Sequence, residues 1–230
     1  GEIFVKEAAG CAAAFNCETG FIDDGIVVGR NGVAHYTIEV RGVASHRGND
    51  PENGRSAILE IAHKVIEIEK LNDLKAGISC CVGVIEGGNV ANATPDYAKV
   101  GIDLRGVDRP RISAVEKKLK DIAAVTYVDG TTTTIAGGIL HEPMVTTDGV
   151  KRLFNLVKQT SIENNFGTPY EKFSGGGADS AYTVIAGVPT VCAMGVKGGR
   201  NHSPEEFAVV ESLFERSKLL AACVLNLDRL

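Results

Sequence analysis

Apolar and polar positions alternate along the chain in two distinct rhythms. From Ala34 to Arg41 the period is two, with Ala34, Tyr36, Ile38 and Val40 on one face, as in a half-buried strand. Between Ser56 and Leu71 the period changes to that of a helix, because Ile58, Ile61, Ala62, Val65 and Ile68 form one stripe. Strands are expected at Ala76–Ile85 and Ala98–Leu104, a second amphipathic helix through Ile112, Val115, Leu119 and Ile122, and a fourth strand at Thr131–Ile135. This β-α-β-β-α-β order is that of a ferredoxin-like two-layer α+β sandwich, placed at residues 31–140.

The flanking segments follow a different pattern. A helical tail over Glu2–Ala9 precedes a short apolar run, Ala12–Cys17, suited to a buried strand, and Ile26-Val27-Val28 is another. After the sandwich, Val150, Leu153, Phe154 and Val157 mark a helix. The run Gly175-Gly176-Gly177 is expected to start a further helix through Ala186, and Val188–Cys192 reads as a short buried strand. The closing helix carries the stripe Val210, Leu213, Phe214, Ser217, Leu220, Ala221 and Val224, predicted to face the core. Residues 1–30 and 141–230 thus read as an α/β domain split by the inserted sandwich.

Composition narrows the classes. With 230 residues, 44% hydrophobic and 23% charged, the chain is long enough for a sizeable core and unlike a disordered or fibrous sequence. A net charge of -5 without a basic stripe argues against nucleic acid as a partner, and no apolar run approaches the length of a membrane span. The six cysteines form no C-x-x-C pair, which fits a reduced, cytoplasmic setting. The chain opens on Gly-Glu-Ile-Phe without a Met, and the expectation is a fragment of something longer.

Five histidines are present. His63 and His35 read as surface residues. His202 lies in the glycine-rich turn Gly198–Glu205, after a buried strand and before a helix, where an imidazole can serve as a ligand. Glu18 closes a short apolar strand, either as a ligand in a cleft or as a cap on the turn. The segment Gly175–Ser180 lacks the lysine of a phosphate-binding loop, so nucleotide binding is not expected.

Four motifs in one order resemble a known family. They are Gly42-Val43-Ala44-Ser45-His46-Arg47-Gly48 continuing to Pro51 and Gly54; Gly88-Asn89-Val90-Ala91-Asn92-Ala93-Thr94-Pro95 with Asp103-Leu104-Arg105; Ser174-Gly175-Gly176-Gly177-Ala178-Asp179; and Gly199-Arg200-Asn201-His202-Ser203. Together they resemble the dinuclear zinc aminoacylase and glutamate-carboxypeptidase family, which includes acetylornithine deacetylase and succinyl-diaminopimelate desuccinylase. The resemblance implies that Glu18 and His202 each ligate zinc, two ions in the intact family site and one or none here. It implies that His46 polarises the scissile carbonyl across a dimer interface. Asn92, Arg105, Gly176 and Gly177 would bind substrate, a small peptide or N-acyl amino acid. Residues 31–140 would be the lid through which a homodimer forms.

The family's H-x-D motif, bridging aspartate and Glu-Glu pair have no counterpart in these residues. The expectation is therefore the C-terminal part of a metal-dependent amide hydrolase, inactive alone. The competing expectation is a non-catalytic dimerisation or ligand-sensing module.

Overall fold

The computed structural model describes residues 1–230. The chain divides into two compact units, Gly32–His141 and the pair of segments Gly1–Asn31 and Glu142–Leu230. In chain order the first segment holds α1 (Glu2–Ala8), β1 (Ala14–Phe15), β2 (Gly20–Phe21) and β3 (Gly25–Arg30). The inserted unit holds β4 (Gly32–Arg41), β5 (Ser45–His46), α2 (Ala57–Glu69), β6 (Ile78–Gly87), β7 (Ala93–Thr94), β8 (Tyr97–Gly106), α3 (Arg109–Ala124) and β9 (Thr132–His141). The last segment holds α4 (Asp148–Glu163), β10 (Tyr170–Ser174), α5 (Ser180–Ile185), β11 (Thr190–Val191), β12 (Lys197–Gly199), β13 (Phe207–Ala208) and α6 (Val210–Leu225).

In the inserted unit four strands form one antiparallel sheet in the order β6-β8-β4-β9. This is the ferredoxin-like arrangement, in which each helix returns the chain to a non-adjacent strand. Alternation decides what is buried: Ala34, Tyr36, Ile38 and Val40 of β4 and Val100, Ile102 and Leu104 of β8 point into one core with Ile61 and Ile68 of α2 and Ile112 and Leu119 of α3. Each fully buried Leu or Ile contributes about 1.5–3 kcal/mol. Side chains fix where the helices start, since Ser56 Oγ accepts from Leu59 N–H and Asp108 Oδ1 from Arg111 N–H.

The stripe expected on α2 conceals a polar core pair. Glu60 and Lys64 are 0% exposed and joined at 2.9 Å. Lys64 Nζ also donates to the carbonyls of Ile122, Ala123 and Val125 at the end of α3, while Glu60 Oε2 accepts from the N–H groups of Tyr127 and Val128. One ion pair therefore satisfies both the orphan carbonyls of a helix C-terminus and the turn that follows it. Ile58, expected in the stripe, is instead exposed.

The last strand of the sandwich is longer than expected, running through His141 rather than ending at Ile135. Its Ala136-Gly137-Gly138 stretch lies past the expected end of the strand, and Gly137 sits at φ 128°, where an added Cβ would lie 2.1 Å from the His35 carbonyl oxygen. Glycine here permits close strand approach.

In the other unit β3 pairs in parallel with β10, β1 pairs in parallel with β11, and mutual backbone hydrogen bonds between Val27 and Cys192 tie the two pairs together. The strand expected over Ala12–Cys17 shortens to two half-buried residues. The helix expected from Gly175 starts only at Ser180, and the three glycines form an irregular loop.

The closing helix turns the opposite way from the expected one. It buries Ser212, Arg216, Leu219 and Cys223, leaving Leu213 53% and Phe214 64% exposed. Polar anchors explain the orientation: Ser212 Oγ accepts from Lys197 N–H and donates to Val209 O, and Arg216 Nη2 donates to Asp24 Oδ1 at 3.1 Å.

Burial alone would raise the Glu60 carboxyl, but the Lys64 ammonium and the N–H groups of Val128 and Tyr127 outweigh it and hold the pKa below its ordinary value. A carboxyl depressed in the folded state stabilises above its unfolded pKa, and that contribution is lost as pH falls through the folded value. Lys64→Met, which strands Glu60, should cost about 3–5 kcal/mol in urea unfolding at neutral pH; a loss below about 1 kcal/mol contradicts the role assigned to the pair. Glu60→Gln should flatten the acid limb of the stability profile.

Candidate active site

Each unit carries its own cluster of candidate residues. In the inserted unit the small sheet of β5 and β7 pairs Ser45 with Thr94 and His46 with Ala93. Ser45 Oγ and Thr94 Oγ1 are 2.9 Å apart, and Gly54 passes so close that a Cβ there would lie 2.3 Å from Ser45 Oγ. Beside this buried staple the Arg47 N–H donates to the Asn92 carbonyl, so His46 and Asn92 are neighbours on one rim.

The His46 imidazole is exposed, but its orientation is set. Both Gly48 N–H and Asn49 N–H donate to Nδ1 at 3.2 Å. A ring nitrogen that accepts two backbone donors carries no proton, so the neutral ring bears its hydrogen on Nε2. His46 thus offers one hydrogen-bond donor to whatever faces it.

Arg105 is not beside them. It lies on β8, where Nε donates to Asp103 Oδ1 at 2.8 Å, and His35 Nε2 meets Asp103 Oδ2 at 3.1 Å. Burial would raise the Asp103 carboxyl, yet Arg105 and His35 hold it below its usual range.

In the other unit Arg30, at the end of β3, is 7% exposed and gathers four segments. Nη2 donates to Glu18 Oε2 at 2.8 Å and, with Nε, to Cys192 Sγ; Nη1 donates to Ser174 Oγ and to the Gly176 carbonyl at 3.2 Å. Nothing in the residue pattern singled out this arginine, whose only signal is a charge ending a strand that is buried throughout. Glu18 and Gly176 are thereby brought together, and Glu18 shares a cavity of about 360 Å3 with Asp179, Ser180 and Phe15. Gly177 follows in the same irregular loop.

His202 stands on the exposed turn between β12 and β13, at φ 65°, with its N–H donating to Glu206 Oε2 at 3.2 Å. It makes no hydrogen bond to Glu18. No three His, Cys, Asp or Glu side chains of the chain gather into a metal-binding group, and one carboxylate oxygen of Glu18 is already engaged by Arg30. Zinc takes about four ligands per ion, so the residues present do not by themselves fit a metal centre.

Residues 28–131 match a family model described as a peptidase dimerisation domain. Over 206 residues the chain is 24% identical to carboxypeptidase G2 of Pseudomonas sp. (strain RS-16), and over 209 residues 26% identical to N-carbamoyl-L-amino-acid amidohydrolase of Pseudomonas sp. (strain NS671). Residues 28–131 thus form a dimerisation domain of the M20 peptidase type. The matches cover 89% and 88% of this chain but 50% and 49% of those relatives, so it spans about half their length. The fold matches a crystal structure of the aminopeptidase PepT from Bacillus cereus with a TM-score of 0.82, at 24% identity, over 97% of this chain and 59% of that one. No helix of the chain is long and apolar enough to cross a membrane.

Removing Arg30 should leave the carboxylate of Glu18 and the carbonyl of Gly176 without their shared donor. Arg30→Met is expected to cost about 2–4 kcal/mol in urea unfolding. Arg30→Lys should recover less than half of that, because one ammonium cannot reproduce a five-donor fork; full recovery by lysine contradicts the fork.

Proposed function

We propose that this chain forms the dimerisation domain and part of the catalytic domain of a metal-dependent amide-bond hydrolase, acting on a small peptide or N-acyl amino acid as a homodimer. The observation that carries this reading is the His46 ring, held by two backbone N–H groups so that Nε2–H is free to donate. Amide hydrolysis develops negative charge on the carbonyl oxygen, and a donor already aimed at that charge lowers the barrier. In this reading His46 of one copy serves the substrate held by the other, and Asn92 on the same rim holds the substrate amide. Substrate binding rests otherwise on Gly176 and Gly177, since Arg105 is engaged by Asp103.

Zinc dependence enters through Glu18 and His202 as ligands, and two side chains do not complete a site. The remaining ligands and the general base therefore come from outside these 230 residues, and the chain alone is inactive. The uncovered apolar side of α6 and an α1 that buries no residue support this. Six free thiols support a reducing, cytoplasmic location. The gathering of no metal-binding group within the chain also suits a second reading, a non-catalytic dimerisation module.

The test is turnover of N-acyl amino acids and small peptides by the full-length protein and by this chain, with and without chelator. The full-length enzyme should be active and chelator-sensitive, and His46→Ala should lower its kcat about 100- to 1,000-fold with KM little changed. Metal-dependent turnover by the 230-residue chain overturns the reading. A full-length protein inert toward every amide favours the non-catalytic module.

A further inference from the structure

The chain holds two Asn-Gly dipeptides, Asn31-Gly32 and Asn53-Gly54, and the fold treats them in opposite ways. In such a pair the backbone nitrogen of the glycine reaches the preceding side-chain carbonyl carbon easily, because glycine has no Cβ to hinder the approach. Asn31 is held inside: its N–H donates to the Ser174 carbonyl at 3.1 Å, its Oδ1 is buried, and Gly32 begins β4 in register with Gly106. Asn53 is exposed at the end of the single helical turn Pro51–Asn53. Its side chain donates to Asp50 Oδ1, and no hydrogen bond of normal geometry holds the Gly54 N–H.

Packing imposes glycine at 54 but not asparagine at 53. A Cβ on Gly54 would lie 2.3 Å from Ser45 Oγ and 2.5 Å from Thr94 Oγ1, the staple under the His46 rim. Arg55 Nη1 donates to the carbonyls of both Glu52 and Gly54 at 2.8 Å, and Arg55 and Val43 exchange both backbone hydrogen bonds at 2.9 Å. The chain is thus pinned on either side of Asn53, with little slack for an added main-chain atom.

We propose that Asn53-Gly54 is a self-modification site that alters the His46 rim. The Gly54 nitrogen, on losing its proton to hydroxide, attacks Asn53 Cγ; the N–Cγ bond forms, the Cγ–Nδ2 bond breaks, and Nδ2 leaves as ammonia with a proton returned from water. A second water opens the cyclic imide at either carbonyl. Opening at Cγ leaves aspartate, whereas opening at the main-chain carbonyl leaves isoaspartate, whose backbone runs through Cγ and is one methylene longer. In sum one water is consumed and one ammonia released, with no change in oxidation state. The longer backbone cannot keep the Glu52 and Gly54 carbonyls on one guanidinium and Gly54 against Ser45. β5 therefore shifts, and the Gly48 and Asn49 N–H groups lose their hold on His46 Nδ1. This chemistry is independent of the hydrolytic reading.

Incubation of the chain in mildly alkaline buffer, followed by peptide mass mapping and amide-exchange NMR, tests it. Asn53 should convert at least about tenfold faster than Asn31, and faster as pH rises. Asn53→Gln should abolish the conversion at that position with an unchanged circular dichroism spectrum. Isoaspartyl protein should show faster exchange of the Gly48 and Asn49 amides and displaced His46 ring signals. Asn53→Asp, which adds the charge without the extra methylene, should show neither. Equal rates at Asn31 and Asn53, or an unchanged Asn53 while an unfolded peptide of residues 48–58 converts, overturns the site. Conversion to isoaspartate with the His46 signals and both amides unmoved overturns the effect on the rim.

Discussion

The arrangement around Glu18 depends on one buried cation. A guanidinium at 7% exposure must find partners for its N–H groups within the protein, and Arg30 finds them on Glu18, Cys192, Ser174 and Gly176. These residues follow β1, follow β11, end β10 and open the glycine loop, so strands of only two to six residues are locked at their ends by a shared charge rather than by long ladders. The geometry also constrains Cys192, whose thiol is pushed up by burial against the opposing pull of Arg30. A neutral thiol accepting from a cation completes the fork without adding a second buried charge.

The inserted unit achieves order differently. Ten-residue strands carry the sheet, β4 against β8 without a break in register, and its buried ion pair of Glu60 and Lys64 serves the end of α3 and the turn after it. Functional groups then sit on the small β5–β7 pair beside the main sheet, where Ser45 and Thr94 hold the rim and backbone donors hold the His46 ring. The two clusters thus have separate supports, one electrostatic and one from backbone hydrogen bonding.

Much of this was legible in the residues. Period-two and period-3.6 patterns give the β-α-β-β-α-β order because the buried faces of β4, β8 and α3 are almost purely apolar. The pattern misleads where polar residues go inside: Lys64 lies in the core since three carbonyls and a carboxylate await it, which no local window reveals. The same cause turns α6, since Arg216 and Ser212 have partners on Asp24 and Lys197 that are distant in sequence. Glycine conceals β9, because the residue that permits close strand approach at Gly137 also marks turns. Of the site, Glu18, His46, Asn92 and His202 are visible only through motif resemblance. Arg30 is invisible even so, its role being a matter of what surrounds it.

On the proposed function this chain holds only part of a hydrolytic site, in which Glu18 and His202 need ligands from elsewhere. Calorimetric titration of zinc into this chain and into the full-length protein tests it most directly. The account predicts tight, stoichiometric binding by the full-length protein and an affinity weaker on the order of a thousandfold or more for the 230 residues alone. Equal affinity in the two, unaffected by Glu18→Ala and His202→Ala, would contradict it.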